Sequence, residues 1–184
     1  MKTKIFLILL LGVVLTSCGG DAKPKVLIAY YSQSGNTKAV AEQIQAKFGG
    51  DLYEITLATP YPTGEQETIE IVGRQREEGV LPELNGKVGN LADYDVVFIG
   101  TPIWFGTASL PVMAFVEAHS GNFAGKTVIP FYTCGGGDAG TYVADITPFL
   151  AGTTILEAFG NNRAERTAGT HTAKVAAHLE QLTF

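Results

Sequence analysis

Two stretches of this chain, Tyr94-Asp-Val-Val-Phe-Ile-Gly100 and Thr127-Val-Ile-Pro-Phe-Tyr-Thr133, are apolar at nearly every position. Strands that alternate polar and apolar residues keep one face in water, whereas runs of this kind require cover on both faces, as in a parallel sheet between layers of helix. The same rhythm repeats from Lys25 onward. Apolar β-branched runs near 26–31, 51–56, 94–100, 126–133 and 153–158 alternate with helical patterns at 36–48, 107–119, 139–150 and 170–182. This predicts an α/β domain with a five-stranded parallel sheet. In the first helix Val40, Ile44 and Phe48 recur every fourth residue before Gly49-Gly50 stops it, and Val175, Leu179 and Leu182 form a similar stripe in the last. Residues 57–93 are longer than a simple crossover and hold Pro60, Pro62, Gly64 and Pro82 around a further helix at 65–78. At 184 residues the chain suits one domain.

The first residues stand apart from that pattern. Lys2 and Lys4 lead into the apolar run Ile5–Leu15 and then Leu15-Thr16-Ser17-Cys18. The run is shorter than the roughly 20 residues that span a bilayer, so residues 1–17 read as a removable export signal. Leu-Thr-Ser-Cys resembles the lipobox of bacterial lipoproteins, which implies acylation of Cys18, a polar tether over residues 18–25, a domain over residues 26–184, and a lipid anchor on the periplasmic side of a membrane. Loss of residues 1–17 lowers the basic residues from thirteen to eleven against eighteen acidic ones, moving the net charge from −5 to −7. An acidic chain is a poor partner for nucleic acid. With Cys18 acylated only Cys134 remains, which leaves no pair for an intramolecular disulfide.

Three loops carry the chemistry. The first, Ser32-Gln33-Ser34-Gly35-Asn36-Thr37, lies between a strand and a helix and contains no cation. A helix start offers unpaired N–H groups and a positive dipole end, so such a loop can hold a phosphate with amides and hydroxyls. It lacks the lysine of a Walker loop and the glycine spacing of a dinucleotide fingerprint. The second loop, Thr101-Pro102-Ile103-Trp104-Phe105-Gly106, holds the only tryptophan of the chain. The third, Thr133-Cys134-Gly135-Gly136-Gly137-Asp138-Ala139-Gly140, contains a formal G-x-G-x-x-G at Gly135, Gly137 and Gly140, with Glu157 near the spacing of a ribose-binding acid. It sits in the fourth βα unit, however, where a glycine string matches easily by chance.

From Val26 to its C-terminus the chain resembles a flavodoxin, whose hydroxyl-x-hydroxyl-Gly-x-Thr phosphate loop is matched by Ser32 to Thr37. The resemblance implies a three-layer sandwich of strand order 2-1-3-4-5, with FMN at the carboxyl ends of the strands. It implies cofactor contacts from Ser32, Gln33, Ser34, Gly35, Asn36 and Thr37; from Thr101, Pro102, Ile103, Trp104 and Gly106; and from Thr133, Cys134, Gly135, Gly136 and Asp138. Trp104 is expected against the flavin ring, Phe105 in the core, and Tyr142 inside a helix rather than on the ring. Asp138 either bonds the ring or caps the next helix, and Cys134, lacking a histidine or CxxC partner, reads as a buried structural thiol. Leu81-Pro82-Glu83-Leu84 matches the end of a pattern in one flavodoxin-like bacterial group, and residues 59–84 either cover the flavin, dock a partner or form a surface excursion.

His171 and His178 stand about 10.5 Å apart along one helix and His119 closes another, so no metal site is expected. The resemblance implies electron transfer between redox partner proteins. An FMN-dependent oxidoreductase moving electrons from NAD(P)H to a quinone or other small acceptor is the alternative, and a non-redox flavin-binding domain is a third.

Overall fold

The computed structural model describes residues 23–184, so the signal and Cys18 lie outside the described residues. Strand β1 (Val26–Tyr30) is flanked in parallel by β2 (Asp51–Glu54) and β3 (Val96–Trp104), and β3 is followed by β5 (Thr127–Cys134). The fifth position is shared by β6 (Thr154–Ile155) and β7 (Phe159–Asn162), both parallel to β5. A two-residue strand, β4 (Thr107–Ala108), folds back antiparallel on the end of β3. Along the parallel sheet the order is therefore the expected 2-1-3-4-5, with β5 in the fourth place and β6 with β7 in the fifth.

Period-two alternation assigns the two cores. Leu27, Ala29, Val97 and Ile99 face one side, where they meet α2 (Glu65–Glu78) through Val72, α3 (Leu110–Ala118) through Val112 and Phe115, and α4 (Tyr142–Ile146) through Tyr142 and Ile146. Ile28, Tyr30, Phe98, Ile129 and Phe131 face the other, against Val40, Ala41 and Ile44 of α1 (Asn36–Phe48) and Val175 and Leu179 of α6 (His171–Leu179). Gly100 is obligatory in this packing. The Phe131 ring lies directly over it, and a Cβ there would come within 2.1 Å of the ring.

Two sequence expectations are corrected, and one element is added. The fifth strand is broken because Pro130 has no N–H to donate on the side that faces it, Leu156 already donating to the Val128 carbonyl. Between the pairs Val128↔Ile155 and Phe131↔Phe159, Leu156, Glu157 and Ala158 bulge opposite Ile129 and Pro130. The helix expected over 139–150 is only Tyr142–Ile146 followed by a 3-10 turn at Thr147–Phe149, since Gly140 is left-handed (φ 55°) and Pro148 cannot continue an α-helical ladder. Before α6, a short helix α5 (Arg163–Thr167) follows β7 directly. Its start is a capping box in which Asn162 Oδ1 accepts from Glu165 N–H and Glu165 accepts from Asn162 N–H.

Candidate functional site

The carboxyl ends of β1, β3, β5 and β7 share one rim, and the loops leaving them enclose a cleft of about 680 Å³. That volume lies within the range of small-molecule sites. Helix α1 begins at one end of it. Its N-cap, Gly35, is left-handed (φ 83°), a conformation that favours glycine, and makes no side-chain cap. Ser32 Oγ accepts from Lys38 N–H at 3.2 Å, and Asn36 Nδ2 donates to Ser34 Oγ at 2.9 Å. Among the described residues the N–H groups of Asn36 and Thr37 have no hydrogen-bond partner. The loop thus leaves amides at the helix start unpaired, as anion binding requires.

Gln33, Ser34 and Asn36 line the cleft, whereas Thr37 does not. Its hydroxyl is buried and pairs with Thr133 Oγ1 at 2.9 Å, which ties the start of α1 to the end of β5. Gln33 Nε2 donates to the Pro62 carbonyl at 2.9 Å and so joins the loop to the segment before α2.

In the second loop Pro102, Ile103 and Trp104 line the cleft. Trp104 is packed from behind, edge-on to Tyr31 with centroids 5.7 Å apart and against Tyr61 at 5.9 Å. Burial pushes the Tyr61 phenol up to about 12 and raises that of Tyr31 as well, so both stay protonated at neutral pH. Thr101 is turned away. Its Oγ1 is buried, accepts from Ser109 N–H at 2.9 Å and shares a hydrogen bond with Ser109 Oγ, which places it at the start of α3. Phe105 is not in the core. It is 55% exposed with φ 51°, and together with Gly106 (φ 74°) it forms the two-residue turn between β3 and β4, where both central residues must be left-handed. The turn carries the Phe105 ring to the cleft rim, with the Arg76 guanidinium 5.6 Å from its centroid.

In the third loop Thr133, Cys134 and Gly135 line the cleft. Gly136 and Asp138 are exposed outside its lining, and Asp138 Oδ1 accepts from Gly140 N–H at 2.9 Å, holding the turn rather than capping α4. Gly140 has its own task. A Cβ on it would fall 1.9 Å from the Gly106 carbonyl oxygen, which accepts from Thr141 N–H at 2.9 Å and stitches the second and third loops together. The G-x-G-x-x-G spacing therefore serves loop contact, and Glu157 lies in the bulge beside Tyr132 and His178, in a separate depression. Cys134 is buried with Sγ 3.4 Å from the Gly137 carbonyl, and burial raises its thiol against the opposing pull of Arg166. It is a protonated thiol on the cleft wall.

One set of cleft residues falls in segment 59–84, which the sequence left open as a flavin cover, a docking surface or a surface excursion, and a second set escapes the sequence reading. Thr63, Glu65, Thr68, Ile69 and Val72 supply a wall from the irregular segment and α2. Arg163 and Arg166 of α5 supply cations where none was expected. Arg166 donates to Asn161 Oδ1 at 2.7 Å and to the Cys134 carbonyl at 3.0 Å, and burial, with Arg163 nearby, lowers its pKa. The only local signal for these arginines was the Asn162-x-x-Glu165 capping box that begins α5. Among the described residues no group of three metal-ligating side chains occurs.

Solved structures share this fold. A putative flavoprotein from Bacteroides eggerthii is 32% identical and aligns over 85% of this chain and 96% of its own, with a TM-score of 0.69. A flavoprotein from Lactobacillus acidophilus, solved in complex with FMN, is 24% identical over 79% of this chain and 97% of its own, with a TM-score of 0.65. Among curated proteins, an NAD(P)H dehydrogenase (quinone) from Geotalea uraniireducens is 32% identical over 101 residues, or 53% of this chain, and the match spans about half (49%) of that relative's length. The flavodoxin family model matches residues 25–163, from the first strand through the third cleft loop to the start of α5. On that match, and on the sheet order that carries the cleft, the chain belongs to the flavodoxin family.

Proposed function

We propose that the cleft binds FMN and that the chain is a flavin-dependent oxidoreductase passing electrons from a nicotinamide to a small acceptor of the quinone class. The observation that carries this reading is the shape of the cleft: free amides at the start of α1, an aromatic wall at Trp104, and a further wall from Thr63 to Val72. A phosphorylated, flat, largely apolar cofactor fits that set of donors. FMN, when bound, would supply the redox chemistry itself. Gln33, Ser34 and Asn36 would hold its phosphate end, and Trp104, braced by Tyr31 and Tyr61, would position the ring. Thr63, Glu65, Thr68, Ile69 and Val72 would line the cofactor's site beyond the three loops. The name of the curated relative, NAD(P)H dehydrogenase (quinone), supports the same reading.

A carrier between redox proteins is the second reading, favoured by the exposed Phe105 ring at the rim, an apolar contact for a docking partner. The purified protein is expected to show flavin absorbance bands after reconstitution with FMN. Anaerobic stopped-flow mixing with NADPH is then expected to bleach those bands within the turnover time measured with a soluble quinone. Bound flavin that NADPH leaves oxidised rejects the oxidoreductase and favours the carrier; absence of bound flavin rejects both.

We also propose that residues 1–17 direct export and that Cys18 is acylated, holding the domain at the periplasmic side of a membrane. The support is the order of Lys2 and Lys4, the apolar run and Leu15-Thr16-Ser17-Cys18. Export would separate the domain from the cytoplasmic NAD(P)H pool, a further point for the carrier. In cells fed labelled fatty acid the protein is expected to take up label and to sediment with membranes. Cys18→Ala should abolish the label; label retained in that variant would refute the assignment.

A further inference from the structure

We infer that Arg163 and Arg166 form the cationic half of a phosphomonoester site whose other half is the amide-rich start of α1. The inference rests on the FMN reading above and adds to it a charge pair that the phosphate loop itself lacks.

The topology brings the two halves together. Thr37, in the first turn of α1, is hydrogen-bonded to Thr133 at the end of β5. In the parallel pairing of β5 with β7, Thr133 lies opposite Asn161 and Cys134 opposite Asn162, and Arg163 follows at once. Strand β7 runs beside β5 at about 4.8 Å, so the residues that follow it emerge next to Thr133, to which the first turn of α1 is tied. Arg163 and Arg166 are three residues apart in α5, which puts them on one face, and both line the same cleft as Ser34 and Asn36. The Arg163 guanidinium stands 4.0 Å from where a Cβ on Gly135 would be, alongside the third loop.

The charges there are uncompensated. Among the described residues neither guanidinium lies within salt-bridge distance of a carboxylate. Glu165, which lies between them in sequence, is engaged by Lys174 Nζ at 2.6 Å and by Asn162 N–H at 2.9 Å. Arg166 is fixed by the Asn161 side chain and by backbone carbonyls, none of which neutralises it. Arg166 is half-buried and Arg163 exposed, and two like charges on one wall repel each other until an anion joins them. A chain of net charge −5 that concentrates two cations opposite free helix amides is matched to a dianion. Arg163, exposed and untied, makes the direct contact, and Arg166 holds its position behind it.

The test compares FMN with riboflavin, which has the same ring and no phosphate. Dissociation constants for the full chain are measured by quenching of flavin fluorescence, at low and high ionic strength, in the wild type and in Arg163→Ala and Arg163→Lys. FMN affinity is expected to fall about 10- to 100-fold in Arg163→Ala, the range of a charge-assisted hydrogen bond. Riboflavin affinity should not change, Arg163→Lys should recover part of the loss, and the salt dependence of FMN binding should flatten in Arg163→Ala. Equal losses for both flavins would reduce Arg163 to a structural role and overturn the inference. So would unchanged FMN affinity, including the case in which Arg163→Ala weakens NADPH relative to NADH, because the guanidinium would then serve another phosphate. A wild type that binds riboflavin and FMN equally well rejects the arginine pair alone, whereas one that binds neither removes the FMN reading on which it rests.

Discussion

Gly100→Ala is expected to destabilise the fold by about 3 kcal/mol or more, beyond the usual range for a single added methyl. Gly100 sits at the centre of the sheet, paired with Tyr30 on one side and Phe131 on the other. The new Cβ would lie 2.1 Å from Phe131 Cζ, and within 2.7 Å of two further ring carbons, so the ring must move. Phe131 is fully buried and stacks on Phe159 at 6.1 Å, and Phe159 stacks on His178 of α6 at 4.4 Å. Displacing the ring therefore disturbs β7 and the helix that covers it. For a domain of this size, 3 kcal/mol corresponds to a fall in Tm of roughly 6–12 °C. Urea unfolding followed by circular dichroism measures the change. Combining Gly100→Ala with Phe131→Leu should restore part of the stability, because the shorter side chain vacates the contested volume. A variant within 0.5 kcal/mol of wild type would contradict the ring placement.

Gly140→Ala is expected to act on the site as well as on the fold. Two costs combine there: a left-handed backbone at φ 55°, and a Cβ 1.9 Å from the Gly106 carbonyl oxygen. The first costs about 1–2 kcal/mol for a residue with a side chain. The second cannot be relieved by a side-chain rotation, because the obstacle is backbone. The second and third loops must part, losing the Thr141 N–H bond to Gly106 and moving Trp104 relative to Gly135. FMN affinity should fall at least about 10-fold, with a stability loss of about 2–3 kcal/mol. Gly86→Ala is the control, since Gly86 has φ 98° and open space around its missing Cβ. If the two variants lose equal stability and both keep their flavin affinity, the loop contact has no role in binding.

The parts of the fold legible in the sequence are those fixed by local pattern. The apolar runs of β3 and β5, the four-residue stripe of α1 and the glutamate-rich α2 each state their structure within a dozen residues. The fifth strand was legible as a region but not as two pieces, because its break is caused by Pro130 on the neighbouring strand, 26 positions before Leu156. The first cleft loop was legible because its chemistry is contiguous. Thr101 and Thr37 illustrate the limit: hydroxyls in the right loops, they turn inward to Ser109 and Thr133, partners 8 and 96 residues distant. Phe105 was misplaced for the opposite reason, since apolar character suggested burial while a two-residue turn set its direction. Arg163 and Arg166 belong to a helix of five residues with no apolar stripe, and only strand pairing brings them to the rim.

The chain enters the sheet at Lys25, which is pinned to the start of β3 by a 2.8 Å bond from its N–H to Asp95, while the cleft lies at the far ends of the same strands. The nine residues of β3 separate those two poles by roughly 26 Å. The point at which the chain enters the sheet thus lies at the pole opposite the mouth of the cleft, so a tag or label fused ahead of Lys25 leaves the site unobstructed.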